Sequence, residues 1–275
     1  MAKRAVKKVA GKVVRTKGAT RETASAARDG SLPTAAMILK ELKALGDPAF
    51  QRQMSERFGI SGATQATAFG VSMKDVQAIA KRIKKDGPKD REQSAIWRHE
   101  LAAELWATGQ YDARQMAPYV DVPALVTAEQ MERWAKGFDN WATCDTACFT
   151  LFDRVPPPPE RPSVSIKMIR AWAKRKEEFV KRAAFATIAG MALHDKKTLL
   201  GAEGDAVFVS FLPLIEAAAN DERNFVKKGV SWALRGIGKR NERLCKEAIT
   251  LATKLSKSED KTERWIGKDA LRDLT

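Results

Sequence analysis

From Pro33 onward apolar residues recur at intervals of three and four, and no stretch alternates apolar and polar residues as a half-buried strand does. That periodicity confines the chain to packed helices. In "SMKDVQAIAKRIKK", Ser72 and Asp75 form a start signal, and Val76, Ile79, Ala80 and Ile83 follow on one helical face. Lys81, Arg82, Lys84 and Lys85 crowd the last turns, where the helix dipole favours cations. In "TAEQMERWAKGFD", Thr127 and Gln130 open another helix, and Met131, Trp134, Ala135 and Phe138 mark its apolar face. Further helices are predicted over about 34–45, 48–58, 92–107, 112–120, 140–152, 164–174, 177–193, 205–219, 222–238, 242–256 and 262–273. Breaks fall at Gly46-Asp47-Pro48, Asp86-Gly87-Pro88, Gly109, Asp121-Val122-Pro123 and "PPPPERP" at 156–162.

Short helices with brief turns suit either a bundle or a solenoid, and an internal echo favours the solenoid. "FVKRAAFATIAG" begins at Phe179 and "FVKKGVSWALRG" at Phe225, an offset of 46 residues and within the range of HEAT-like repeats. Such units stack helix pairs into a curved array with an extended concave surface. Arg182 and Lys228 occupy equivalent slots, whereas Trp232 stands where the first segment has Ala186. The basic slot is shared and the tryptophan is not.

Charge then narrows the partner. The 275 residues carry 49 Lys and Arg against 34 Asp and Glu, a formal +15. Nine basic and two acidic residues fall in 1–30, a net +7, which leaves +8 on the rest. Residues 1–31 read as a basic arm, equally suited to adding phosphate affinity or solubility, and 32–275 as one helical-repeat domain. A basic folded part favours a polyanion over a merely solvated surface. Three cysteines make no even disulfide set, which favours a reduced, intracellular protein. Cys144 and Cys148 read as small buried helix residues, because two distant histidines and no CxxC make a poor zinc set. No apolar run has membrane-spanning length, and the N-terminus lacks the apolar stretch of a signal peptide.

No phosphate loop and no G-x-S-x-G elbow is present. His99, in "WRHEL", reads as a satisfied helix side chain, so carboxylates must carry any hydrolysis. "FDNWATCD" places Trp141 and Asp145 four apart on one helical face. Taken alone, the pair reads as core plus solvated carboxylate. Trp106, Trp134 and Trp172 read as core.

The ordered set "FGVSMKDVQAIAK" (69–81), "ELWATGQYDARQMA" (104–117), "MERWAKGFDNWATCD" (131–145), "EEFVKRAAF" (177–185) and "DERNFVKKGVSWALRGIGKRN" (221–241) resembles the AlkD-type DNA alkylation repair family. These are HEAT-like-repeat DNA glycosylases of bacteria, and the match covers about two thirds of the chain. The resemblance implies an all-α solenoid with a concave DNA-binding surface. It implies excision of cationic N3- or N7-alkylpurines from double-stranded DNA without full base flipping, by a cytoplasmic monomer needing no metal or organic cofactor. The family's W-x3-D falls on Trp141 and Asp145, its arginine on Arg182 and its second tryptophan on Trp232. In that reading Asp145 steadies the developing sugar cation, the two indoles face the same charge, and Arg182 holds a phosphate. Arg235, in "WALR", and Lys228 are further candidate DNA contacts. One departure stands out. Where family members often carry a tyrosine on an early helix, the nearest candidate here is Phe58, which has no hydroxyl. Two other readings remain: a HEAT-repeat protein that binds damaged or branched DNA without excision, and a protein-binding adaptor, which would not need the basic charge.

Overall fold

Side-chain caps fix where most of the helices begin. The computed structural model describes residues 32–156, 163–196 and 198–275; the basic arm over 1–31 lies outside the described residues. The helices are α1 (Ala35–Ala44), α2 (Pro48–Glu56), α3 (Met73–Asp86), α4 (Arg91–Ala107), α5 (Tyr111–Val120), α6 (Ala128–Lys136), α7 (Trp141–Thr150), α8 (Val164–Trp172), α9 (Glu178–His194), α10 (Gly201–Val209), α11 (Leu212–Ala217), α12 (Asn224–Gly238), α13 (Glu242–Ser256) and α14 (Lys261–Leu274). Ser72 Oγ accepts from Asp75 N at 3.2 Å and Thr127 Oγ1 from Gln130 N at 3.2 Å, as the start signals require. Among the described residues there is no strand.

The expected helix over 205–219 is instead two. α10 ends at Val209 and α11 starts at Leu212, with Pro213 in its first turn. Proline lacks the N–H for a continuous helix, and its ring would collide with the carbonyl four residues back. Periodicity alone runs through such a break.

α3, α5, α7, α9, α12 and α14 lie side by side, each packed on the next. Behind them α4 backs α5, α6 and α8 back α9, and α11 and α13 back α12. The echo segments are the neighbours α9 and α12, and their leading rings, Phe179 and Phe225, meet with centroids 5.4 Å apart. One contiguous buried cluster runs from Ile38 to Ala270. Trp134 and Trp172 are fully buried, and Trp106 stacks on Trp134 at 4.3 Å, so these three are core as expected. Cys144 and Cys148 are buried as well.

Candidate functional site

In "FDNWATCD" the asparagine sets the geometry. Asn140 Oδ1 accepts from Thr143 N at 2.9 Å and caps α7, which makes Trp141 its first residue. Cys144, Ala147 and Cys148 then turn inward to the core. Trp141, Asp145 and Phe149, each four residues from the last, share the opposite face and are all half-buried.

Asp145 meets Arg182 of α9 directly. Arg182 Nε donates to Asp145 Oδ1 at 2.9 Å and Nη2 to Oδ2 at 2.7 Å, a two-pronged ion pair. Arg182 Nη1 also donates to the carbonyl of Phe225 at 2.6 Å. The two side chains are 18% and 8% exposed. Burial pushes the Asp145 carboxyl above its ordinary range, and the Arg182 hydrogen bonds and charge oppose that. Desolvation pulls the Arg182 guanidinium down, but the Asp145 hydrogen bond and charge outweigh it and hold it up. A carboxylate taking two N–H bonds from a guanidinium is ionised at neutral pH. Arg182 is thus a carboxylate holder first, with only part of its fork left for a phosphate.

Arg182, Lys228, Trp232 and Arg235 line one open cavity of about 420 Å³, together with Trp265 and Asp269 of α14. Trp232 stacks on Phe149 at 4.3 Å and 10°, so one indole face is covered by α7. Phe149 therefore joins Trp232 to the Trp141–Asp145 face. Arg235 is already engaged, its Nη1 lying 3.1 Å and its Nε 3.5 Å from the carboxylates of Asp273 and Asp269. Lys228 is exposed and makes no ion pair among the described residues. Phe149, Trp265 and Asp269 escaped the sequence reading. Their signals are legible afterwards: Phe149 continues the four-residue step of α7, and Trp265-x3-Asp269 repeats the Trp141-x3-Asp145 spacing.

A family model described as DNA alkylation repair enzyme matches residues 38–274. The chain belongs to the DNA alkylation repair enzyme family. No curated protein matches its sequence. Among solved structures it is similar to "a new family of proteins related to the HEAT-like repeat DNA glycosylases with affinity for branched DNA structures". That match has a TM-score of 0.65 at 18% identity and covers 87% of this chain and 95% of the other. Two designed armadillo repeat proteins match at TM-scores of 0.34 and 0.31, with 12% and 14% identity, each over 89% of this chain and 88% of theirs. The helices described above, and the fold shared with the first of these structures, make the repair-family chain an all-α, HEAT-like solenoid.

In this repair-family protein a main-chain oxygen, that of Phe58, holds the Trp141 indole. Trp141 Nε1–H donates to the carbonyl of Phe58 at 3.2 Å, and Phe58 itself is 42% exposed. The loop after α2 is fastened by carboxylates: Asp139 Oδ2 accepts from Thr64 N at 2.6 Å, and buried Asp112 accepts from Phe69 N and Val71 N at 2.7 and 3.0 Å. Met54, Ile60, Ala68 and Tyr111 form a small core beneath it, with Trp141 packed on top. A tyrosine does lie near Trp141, but Tyr111 is buried. At Gly62 φ is +109°, and a Cβ there would meet Asp139 at 2.7 Å. Gly62→Ala is expected to lower stability by about 1–2 kcal/mol from the left-handed backbone alone, read as a lower denaturant midpoint. An unchanged midpoint would show that the loop closes without this glycine.

Beside Phe149 a second cavity of about 440 Å³ is lined by Lys84, Arg98, Arg154, Thr150 and Tyr119 among others. Burial, then Arg98 and Arg154, push the Lys84 ammonium below its ordinary value, so three cations converge there. Both histidines are held by buried aspartates, His99 Nδ1 2.7 Å from Asp121 and His194 Nδ1 2.5 Å from Asp153. His99 is the satisfied helix side chain expected. Burial raises the Asp153 carboxyl to about 6 against the opposing pull of His194. Among the described residues no group of three or more His, Cys, Asp or Glu side chains could hold a metal ion. No described helix is long and apolar enough to cross a membrane.

Proposed function

We propose that the protein is a monofunctional DNA glycosylase that releases cationic N3- or N7-alkylpurines from duplex DNA, with Asp145 as its catalytic carboxylate. One observation carries this reading: a partly exposed carboxylate, gripped by Arg182, sits between two aromatic side chains, Trp141 and Phe149, on a face joined to Trp232. Alkylation makes the purine cationic, so the electron pair of the C1′–N bond can leave with a neutral base, and the leaving group needs no proton. Positive charge then builds on the sugar. A fixed carboxylate favours that charge over the ground state, and the indole faces add about 0.5–2 kcal/mol each. Water adds to C1′ and gives up a proton to the surrounding solvent, leaving an abasic site. This differs from sugar hydrolases, which use two carboxylates because one must protonate the leaving group. Arg182 holds Asp145 in place and keeps it ionised. Lys228, Arg235 and the Lys84–Arg98–Arg154 cluster supply charge for the phosphates.

The deciding experiment incubates the protein with duplex DNA carrying one N7-methylguanine and measures free base by chromatography. Release of the free base is expected; tight binding without release would overturn the proposal. The second reading is a protein that binds damaged or branched DNA without excision. It is favoured by the engagement of both Asp145 oxygens with Arg182, and the similar solved protein has affinity for branched DNA. In either case Lys228→Ala is expected to weaken binding about equally on all sequences and to lower the salt slope by about 1. An unchanged slope in a salt titration would remove Lys228 from the interface.

A further inference from the structure

The cavity between α9, α12 and α14 has an aromatic wall that base release does not use. Trp265 lies on α14, 39% exposed, with Lys227 Nζ 5.2 Å from its ring centroid. It shares the cavity with Trp232, Lys228, Arg182 and Arg235. Four residues on, Asp269 accepts from Ser231 Oγ of α12 at 2.6 Å and pairs with Arg235 at 3.5 Å. The arrangement parallels α7, where the carboxylate four residues beyond Trp141 is held by an arginine of the adjacent helix. Asp269, unlike Asp145, is tied into α12 and α14 by three side chains, Ser231, Arg235 and Arg272. It therefore fixes the wall and keeps Arg235 in place, while the exposed indole beside it has no covering ring among the described residues.

We propose that this cavity receives an unstacked nucleotide, its base lying on Trp265 and its phosphate on Lys228. The chemistry is that of a single-strand subsite: an exposed aromatic face for a base of any identity and an unpaired cation for its phosphate. The volume of about 420 Å³ falls in the range of small-ligand sites. The proposal rests on the DNA reading above and deepens it, because it places a second nucleotide beside the one at Asp145. It makes an unpaired base, rather than a paired duplex, the preferred partner of the face between α12 and α14.

The test uses two duplexes, one fully paired and one with a single bulged 2-aminopurine, and the full chain as wild type, W265A and W265F. Trp265 is exposed, so both variants are expected to fold, as circular dichroism would verify. Wild type is expected to bind the bulged duplex more tightly and to quench its 2-aminopurine. W265A is expected to lose about tenfold in affinity for the bulged duplex, the size of one stacked base, along with the quenching. W265F is expected to retain most of both. Equal affinity of W265A and wild type for the bulged duplex, with quenching intact, overturns this proposal and leaves the glycosylase reading standing. Binding of neither duplex by wild type overturns both.

Discussion

Asp145→Asn is expected to slow release of 7-methylguanine by at least about a hundredfold, the usual cost of removing one preorganised group that faces developing charge. The substitution keeps the size and planarity of the side chain but removes its charge. The stabilisation lost is therefore the part that distinguishes the transition state from the bound duplex. Affinity for undamaged duplex should not fall, because a carboxylate contributes nothing favourable to phosphate binding. Rate and affinity measured on the same preparation separate a catalytic role from a structural one. A variant that releases base at the wild-type rate would remove Asp145 from the chemistry, whatever happened to its stability.

Arg182→Ala is expected to be the more damaging change to the fold. It leaves a carboxylate largely out of water with no partner, and breaking such a pair from one side costs about 3–5 kcal/mol. Removing both partners should cost less than the sum of the single changes, since Asp145→Ala with Arg182→Ala leaves no uncompensated charge. Denaturant unfolding of the two single variants and the double variant checks this. Additive losses would mean that the pair is solvated in solution and that Arg182 is free to act as a phosphate contact. The same cycle run on base release then separates what Arg182 does for Asp145 from anything it does for DNA.

The helices were legible because a stack of amphipathic helices writes its core at a short, regular period. The α9–α12 echo was legible because the two segments do the same packing task, and their leading phenylalanines touch. Asp145 and Arg182 are recognisable as candidate site residues only through family resemblance. Their direct pairing was not legible: they lie 37 residues apart, and nothing in either local sequence reports the contact. The α10–α11 break was missed because Pro213 sits in an otherwise apolar run that keeps helical spacing. Phe149 and Trp265 are not legible because a tryptophan or phenylalanine on a helix is most often core, and only the packed structure reveals which face it presents.

The hydrogen bond from Trp141 to Phe58 has a consequence for how variation in this protein should be interpreted. The acceptor is a main-chain oxygen, so the bond is indifferent to the side chain at position 58. Tyrosine, phenylalanine or leucine there would hold the indole equally well, provided the loop keeps its path. That path is set elsewhere, by Gly62 turning against Asp139 and by Asp112 gripping the backbone at 69 and 71. The orientation of the indole is thus encoded several residues away from the atom that fixes it. A missing hydroxyl at position 58 is silent for this anchor, whereas a methyl group added at position 62 is not.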